Sequence, residues 1–282
     1  MKKIWLLLAI MLMAFALVAT GCGAEDSADN GETGNNEEGN TAADTSWDDI
    51  VAKGYFILGL DDAFPPMGFR DENNEIVGFD IDLASAVAEY YGIEVKLQPV
   101  DWSTVEMSLN TNEIDCIWNG LSITEDRAKV MDFTDPYVAS TQIIVTKADS
   151  DINTKADLAG KIVGTQMASS SISALETEPE VMDSFGELKE YDTFVNAMMD
   201  LDNDRVDAVV IDSIVFYGDF NVKNPTAYKA LEENFGEELY AIGVRQADDT
   251  FTDKLNEAIK ALKESGKAAE ISEKWFGEDI LL

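Results

Sequence analysis

The stretch that decides the fold is YFILGL at residues 55–60, followed by DIDLASAVAEYYG at residues 80–92 and IEVKL at residues 93–97. The first segment is apolar and predicts a buried strand, and the third alternates and predicts a second strand. Between them, apolar residues recur at helical spacing, with Asp80 placed to cap the helix and Gly92 placed to end it. Strand, helix and strand in this order predict a βαβ unit with a parallel sheet.

This alternation of strand and helix candidates continues along the chain in two cycles. The first cycle reaches a buried strand candidate at residues 114–118, and the second ends with a very apolar one at residues 208–211. Extended stretches near residues 141–146 and 239–244 predict two crossings between two α/β lobes, each a mostly parallel sheet flanked by helices. The predicted boundaries are residues 47–141 plus 243–282 for lobe 1, and residues 142–242 for lobe 2 with the hinge strands.

The first 21 residues have the composition of an export signal. Lys2 and Lys3 precede an unbroken apolar run at residues 4–18, which is short for a membrane span. Cys22 resembles the lipobox cysteine of bacterial lipoproteins, which implies cleavage before Cys22 and its acylation. We therefore expect a signal peptide at residues 1–21 and a protein held by lipid on the outer face of the cytoplasmic membrane. The alternative is an ordinary secretory signal with an incidental cysteine.

Residues 22–46 are expected to form a disordered acidic tether behind the lipidated Cys22. From residue 23 to residue 46 the chain has seven acidic residues and neither a basic nor an aromatic residue. Such a stretch buries too little apolar surface to offset the entropy of ordering the chain. The composition changes at Trp47, where we expect the folded part to begin.

The composition narrows the classes of function. The formal net charge is −35 and histidine is absent. The acidity argues against nucleic acid and anionic lipid as partners, and the lack of histidine removes the commonest general base and zinc ligand. We therefore expect a binding protein rather than an enzyme. With Cys22 acylated, Cys116 has no partner for a disulfide and is expected to be a small buried apolar residue.

Polar and aromatic residues follow the predicted strands, where ligands bind in open α/β sheets. The candidates in lobe 1 are Asp61, Phe64, Trp102, Asn119, Gly120, Ser122 and Arg127. The candidates in lobe 2 are Gln166, Ser169, Ser170 and Asp212. The set contains no nucleophile–base pair and no cluster of metal ligands, so we predict neither a catalytic group nor a metal or cofactor.

One cation, several acids and two aromatic rings suit a small zwitterion with one carboxylate and one ammonium group. Arg127 would bind the carboxylate, because its planar guanidinium can donate two parallel hydrogen bonds to such a group. Asp212 would bind the ammonium group, and Phe64 and Trp102 would enclose the side chain. Because the two charged residues are predicted on different lobes, a ligand that bridges them favours the closed arrangement of the lobes.

Seven ordered blocks between about residue 48 and residue 278 carry a family resemblance. On them, the chain resembles the bacterial solute-binding proteins of family 3, the polar amino-acid-binding proteins of ABC importers. The resemblance implies a two-lobed, type II periplasmic-binding-protein-like fold. The blocks are Phe64-Pro65-Pro66, Gly78-Phe79-Asp80-Ile81-Asp82-Leu83-Ala84, Ser122-Ile123-Thr124-Glu125-Asp126-Arg127, Asp132-Phe133-Thr134-Asp135-Pro136-Tyr137, Asp157-Leu158-Ala159-Gly160-Lys161, Asp207-Ala208-Val209-Val210-Ile211-Asp212 and Lys274-Trp275-Phe276-Gly277.

The resemblance also implies a role for individual residues. Asp61, Phe64 and Trp102 would contact the side chain of the ligand. Arg127, with Ser169 and Ser170, would bind its α-carboxylate, and Asp212 would bind its α-ammonium group. The stretch from Asn119 to Ser122 would supply backbone and hydroxyl contacts.

The function expected from the sequence is capture of a polar amino acid for delivery to a membrane permease of an ABC transporter. Lysine, arginine, glutamine and cystine all suit the candidate residues, and the protein is expected to be a monomer. One alternative is a sensor that presents its ligand to a separate receptor. Another is an enzyme on the same fold, but a glycosidase needs two carboxylates that flank its substrate. Asp61 and Asp62 are adjacent and would point apart in an extended chain.

Overall fold

The structure is a computed structural model that describes residues 43–282. The predicted signal peptide, Cys22 and the tether up to residue 42 lie outside the described residues. Asp44 accepts a hydrogen bond from the backbone N–H of Ser46, and the first helix begins at Ser46, while the predicted boundary at residue 47 stays a prediction. No helix in residues 43–282 combines the length and apolar character needed to cross a bilayer.

The helices of the described part follow the predicted order closely. Three short 3₁₀ turns lie at Trp102–Thr104, Arg127–Lys129 and Lys155–Leu158, and a π-helical turn at Phe216–Phe220 joins α7 to α8. The α-helices are α1 (Ser46–Lys53), α2 (Phe79–Tyr91), α3 (Val105–Asn110), α4 (Ser170–Glu176), α5 (Pro179–Met182), α6 (Phe194–Asp202), α7 (Ser213–Val215), α8 (Asn221–Lys223), α9 (Asp249–Glu264) and α10 (Lys267–Phe276).

The strands include a short hairpin region after β1 and a long β12 that the sequence patterns do not single out. The strands are β1 (Tyr55–Leu60), β2 (Ala63–Phe64), β3 (Gly68–Arg70), β4 (Ile76–Val77), β5 (Glu94–Pro99), β6 (Cys116–Ile117), β7 (Asp132–Phe133), β8 (Val138–Lys147), β9 (Ile162–Gln166), β10 (Glu187–Tyr191), β11 (Ala208–Asp212), β12 (Tyr228–Tyr240) and β13 (Gly243–Val244).

Two five-stranded sheets define the two lobes. In lobe 1 the order is β5-β1-β6-β13-β7, with β1 parallel to β5 and β6, and with β13 antiparallel to β6 and β7. In lobe 2 the order is β10-β9-β11-β8-β12, with β9 parallel to β10 and β11, and with β8 antiparallel to β11 and β12. The predicted two-lobed α/β fold is confirmed, and each sheet combines parallel and antiparallel pairs.

The chain crosses between the lobes twice. It leaves the sheet of lobe 1 after β7 and enters that of lobe 2 at Val138, and it returns between Tyr240 and Gly243. The two crossing strands, β8 and β12, pair with each other in antiparallel register. They form a two-stranded hinge, while the lobe boundaries at residues 141 and 243 stay predictions.

Apolar side chains fill the space between the sheets and their helices. Leu58 and Leu83 of lobe 1 and Val163 and Val210 of lobe 2 are fully buried, and burial of one such side chain is worth about 1.5–3 kcal/mol. Cys116 is also fully buried, with a free thiol, as predicted. Burial raises the pKa of this thiol well above its usual range, which makes it a packing residue rather than a reactive one.

Asp80 does not cap helix α2, and this corrects the prediction from the sequence. The N-cap is Gly78, whose φ of 149° lets the chain pass Met67, since a Cβ at this position would lie 2.2 Å from the Met67 carbonyl oxygen. The carboxyl of Asp80 points inward instead, and Asp80 is fully buried. It accepts hydrogen bonds from the backbone N–H of Gly120 and the hydroxyl of Tyr137, both at 2.8 Å.

The Asp80 carboxyl makes the stability of the protein depend on pH. Burial raises its pKa to about 7 despite the two hydrogen bonds. The folded state therefore holds this proton between about pH 4 and pH 7 while the unfolded chain, with its ordinary pKa, releases it. As a result, the contribution of Asp80 to the free energy of unfolding falls as the pH rises.

We expect Asp80→Asn to remove this dependence, because the amide can accept from Gly120 and donate to Tyr137. In urea unfolding at about pH 5, 6 and 7, the free energy of unfolding of the mutant relative to that of the wild type should increase by up to about 1.4 kcal/mol per pH unit. The exposed Asp253→Asn is the matched control. Parallel stability curves for Asp80→Asn and wild type would show that this carboxyl is already ionised in the folded protein.

Candidate functional site

The residues predicted from the ends of the strands come together between the lobes. Asp61 directly follows β1 in lobe 1, and Gln166 ends β9 in lobe 2. The side-chain amide of Gln166 donates to Asp61 Oδ2 at 2.7 Å, and Arg127 donates from Nη2 to the carbonyl oxygen of Ala168 at 3.2 Å. Both hydrogen bonds join one lobe to the other, so the two sets of candidates face one cleft.

Arg127 is a buried cation whose hydrogen-bond partners are carbonyl groups. Its backbone N–H donates to Thr124 Oγ1, which holds the 3₁₀ turn that carries it. Arg127 as a whole is 7% exposed, and its guanidinium also donates from Nη1 to the Ser122 carbonyl at 3.0 Å. Within residues 43–282, no carboxylate oxygen lies within 4.0 Å of it, and the neighbouring Asp126 pairs with Lys129 instead.

The charge on Arg127 is costly to bury and is balanced only from a distance. Burial lowers the pKa of the guanidinium, and the negative charges of Glu106, Glu238 and Asp212 oppose this effect. The ring of Trp102 lies 5.6 Å from its central carbon, in the range of a cation–π contact. An arginine has five N–H donors, so Arg127 retains donors for a carboxylate that enters the cleft.

Asp212 is the acidic counterpart on lobe 2. It ends β11, is 3% exposed, and accepts a hydrogen bond from the side-chain amide of Gln142 at 2.6 Å. The same nitrogen of Gln142 donates to Glu238 Oε1 at 2.9 Å. Burial, and then the negative charge and hydrogen bond of Glu238, raise the pKa of Asp212 well above its ordinary value. Two acids therefore meet at one amide group.

Three serines connect the loop after β6, helix α4 and the hinge. Ser122 Oγ lies 2.7 Å from Glu238 Oε2 and 3.0 Å from Ser170 Oγ. Ser171, which the sequence search did not select, donates to Gln142 Oε1 at 2.5 Å. Ser169 instead donates to the carbonyl oxygen of Gln166 at 2.7 Å, within its own loop. The structure therefore brings Ser122 and Ser170 into one network and turns Ser169 toward its own backbone.

Asp61 and Asn119 form the floor of the cleft in lobe 1. Asp61 is buried, which raises the pKa of its carboxyl, and its Oδ1 accepts from the backbone N–H of Ala63 at 2.8 Å. Asn119 Oδ1 accepts from the N–H of Asp61 at 3.1 Å, while its Nδ2 is buried with no protein partner in the described chain. The N–H of Gly120 is already donated to Asp80, so a ligand could contact only the rest of Gly120.

The two candidate aromatic residues occupy separate places. Phe64 packs 6.0 Å from the ring of Phe194 on lobe 2, and a Cβ on Gly120 would come 2.7 Å from Phe64 Cε1. Gly120, with φ of 59°, is thus needed both for its backbone conformation and for this close approach. Trp102 lies over Arg127 instead. The two rings therefore contact different neighbours in lobe 1, and their enclosing of a ligand side chain stays a prediction.

The sequence search missed Gln142 and Glu238. The candidates from the sequence were residues that follow predicted strands, whereas Gln142 and Glu238 lie inside the crossing strands β8 and β12. Glu238 is one of several acids in β12, and nothing in the sequence distinguishes it from Glu237. Only the pairing of the two crossing strands places its carboxyl beside Asp212.

A groove of about 350 Å³ reaches the network from the side of the hinge and is lined by Ser122, Gln142, Ser170 and Glu238 among others. Its volume lies within the range of small-molecule sites. A slightly larger groove of about 380 Å³ lies between the hairpin after β1 and helix α6, away from Arg127 and Asp212. The buried opposite charges make the former region the candidate site.

The fold and the cleft agree with a known protein family. The sequence profile described as "Bacterial extracellular solute-binding proteins, family 3" matches residues 56–278. This chain belongs to that family of solute-binding proteins, as its seven sequence blocks predict. The match spans both lobes and both crossings.

Individual relatives show which ligands similar proteins bind. The chain is 30% identical to the arginine-binding extracellular protein ArtP of Bacillus subtilis over 98% of each chain. It is 32% identical to a glutamine-binding protein of Geobacillus stearothermophilus, over 86% of this chain and 92% of the relative. A substrate-binding protein of an ABC uptake transporter from Streptococcus pneumoniae, solved with bound histidine, has a TM-score of 0.82 and 38% identity, over 86% of this chain and 99% of that one.

Proposed function

We propose that this protein binds a free polar amino acid between its lobes and delivers it to the membrane permease of an ABC importer. The observation that carries the proposal is the buried guanidinium of Arg127, which faces the cleft with carbonyl partners only. Asp212, a buried acid, stands opposite on the other lobe. An α-amino acid carries one group for each of these residues.

The α-carboxylate of the ligand would bind Arg127. The planar guanidinium suits a carboxylate because two parallel N–H groups can bind its two oxygens. The bond from Arg127 to the Ala168 carbonyl keeps the loop of Ser169 and Ser170 beside it. Asn119, Gly120 and Ser122 would supply the neutral contacts around the backbone of the ligand.

The ligand side chain would extend toward Asp61 and Gln166. Asp61 is a buried acid next to an amide, which favours a cationic or amide side chain over an apolar one. Phe64 and Trp102 would cover its aliphatic or flat part. Relatives that bind arginine, glutamine and histidine support this class of ligand, and lysine and cystine belong to the same set of candidates.

The mature protein would act outside the cytoplasmic membrane as a monomer. The export signal at residues 1–21 and the lipobox-like Cys22 support a lipoprotein anchored through acyl chains such as palmitate. The family is described as extracellular, which agrees with this location. The acidic residues that follow Cys22 would serve as the tether between anchor and lobes.

We expect Arg127→Ala and Asp212→Ala each to weaken ligand binding at least tens-fold. Removing one partner of a desolvated charge pair costs about 2–5 kcal/mol, and about 1.4 kcal/mol is a factor of ten. A thermal-shift screen with the twenty amino acids, cystine and ornithine first selects the ligand, and titration calorimetry then measures its affinity for each variant. Arg205→Ala and Asp253→Ala, at exposed positions outside the groove, are the matched controls.

Near-wild-type affinity of both cleft variants would contradict the assignment of the two charges. Wild-type protein that binds none of the screened amino acids would contradict the proposed ligand class. Recovery of a chemically altered ligand after incubation would point to an enzyme instead.

We expect Cys22→Ser to release the protein from the membrane. When expressed in a bacterium with lipoprotein processing, the wild type should sediment with membranes and show the mass of an acylated chain that begins at Cys22. Cys116→Ala is the matched control, because its thiol is buried in lobe 1, and this variant should stay with the membrane. Wild-type protein found in the soluble fraction with an unmodified cysteine would contradict the lipid anchor.

A further inference from the structure

Two acids of lobe 2 meet where the crossing strands run side by side. Asp212 ends β11, Gln142 lies on β8 and Glu238 lies on β12. Gln142 Nε2 is 2.6 Å from Asp212 Oδ1 and 2.9 Å from Glu238 Oε1. The family resemblance and the sequence search assign no role to Glu238.

Asp212 is 3% exposed and depends on donors from the protein, whereas Glu238 is only partly buried and lines the groove. The amide of Gln142 supplies two N–H groups, and it also lies 3.1 Å from Ser170 Oγ. Ser122 supplies one hydroxyl, to Glu238 Oε2. The buried hydroxyl of Tyr240 faces Asp212 but makes no well-formed hydrogen bond. A proton held between the two acids makes up for the few donors around Asp212.

No positive charge in the described chain neutralises the pair at close range. Within residues 43–282, no lysine or arginine nitrogen lies within 4.0 Å of either carboxyl. Arg127, on the loop after β6, is a cation whose charge interacts with both acids and also with Glu106 of α3. Burial raises the pKa of the Tyr240 phenol well above its usual range, so this group stays neutral.

The groups that hydrogen-bond to the amide of Gln142 are neutral, whereas Glu125, Asp126, Glu176 and Glu237 line the groove beside Glu238 and add negative charge there. Helix α4 contributes Ser170 and Ser171, and β8 contributes Gln142. Two like charges in a site of low dielectric repel strongly, and such carboxyl pairs keep one proton. Burial raises the pKa of Asp212, and the charge of Glu238 adds to this, which agrees with the few donors around Asp212.

We propose that Glu238 is a further residue of the ammonium-binding end of the cleft, that it shares one proton with Asp212, and that capture of the ligand's ammonium group expels this proton to the solvent. This inference rests on the proposed function, because it requires an ammonium group at Asp212. The geometry that carries it is the convergence of both carboxyls on the single amide of Gln142.

The exchange is balanced in atoms and charge. Before binding, Asp212 holds the proton and donates it to the carboxylate of Glu238, so the pair has one negative charge. The entering ammonium group keeps its three N–H donors and brings one positive charge. The O–H bond of Asp212 breaks, its proton passes to the buffer, and the ammonium group takes over its hydrogen bond. The pair then carries two negative charges next to one positive charge.

Titration calorimetry of the full folded protein measures this proton directly. L-arginine and L-glutamine are titrated at about pH 6.5 in phosphate and in imidazole, buffers with different enthalpies of ionisation. We expect the observed heats to differ between the buffers by the release of up to about one proton per ligand. The association constant should then rise up to about tenfold per pH unit between about pH 5.5 and pH 7.5.

Two variants separate this inference from a purely structural role of Glu238. Glu238→Gln should abolish both the buffer dependence of the heat and the pH dependence of the affinity. Its amide can donate to Asp212 and so replace the proton. Glu237→Gln, an exposed acid on the same strand, should release the proton as the wild type does.

The outcomes distinguish the two proposals. Wild-type binding whose heat is the same in both buffers would overturn the shared proton while leaving amino-acid capture intact. Undiminished proton release in Glu238→Gln would also overturn it. Absence of binding by every amino acid of the thermal-shift screen would instead count against the proposed function. If Glu238→Gln fails to fold, Glu238→Ala takes its place in the buffer comparison, and undiminished proton release in that variant would overturn the shared proton.

Discussion

The cleft depends on one costly feature, a buried guanidinium without a carboxylate partner of its own in the described chain. Removing a cation from water costs several kcal/mol unless other groups compensate. Arg127 receives two carbonyl oxygens, the face of Trp102 and the distant field of three acids. None of these partners replaces a direct ion pair. Under the proposed function, the carboxylate of the ligand would supply this ion pair and so complete the site.

The rest of the fold holds Arg127 of lobe 1 opposite Asp212 of lobe 2. Each lobe repeats the same sheet order, so the carboxyl ends of its parallel strands face the gap. The carboxyl of Asp80 holds the loop of Gly120 in place by accepting a hydrogen bond from the backbone N–H of Gly120. The antiparallel pair β8 and β12 joins the lobes, and its own side chains, Gln142 and Glu238, reach Asp212. Hinge and binding site therefore share residues.

The two-lobed fold and several residues of the candidate site could be predicted from the sequence, because periodicity and strand ends are local signals. The order of strand, helix and strand around Ala84 was enough to predict parallel sheets. The position of Asp61 and Asp212 directly after predicted strands was enough to predict that they share one cleft with Arg127. The inward turn of Asp80 could not be predicted, because it depends on how Gly78 passes Met67. Nor could the position of Glu238 beside Asp212 be predicted, because the pairing of β12 with β8 contains register shifts that no residue pattern encodes.

The most direct test of the account is a crystal structure of the protein with its amino-acid ligand at a resolution that distinguishes the carboxylate from the ammonium group. We predict the two carboxylate oxygens within about 3 Å of the guanidinium nitrogens of Arg127, and the ammonium nitrogen within about 3 Å of Asp212. A ligand bound in the reverse orientation, or held by one lobe alone, would contradict the account.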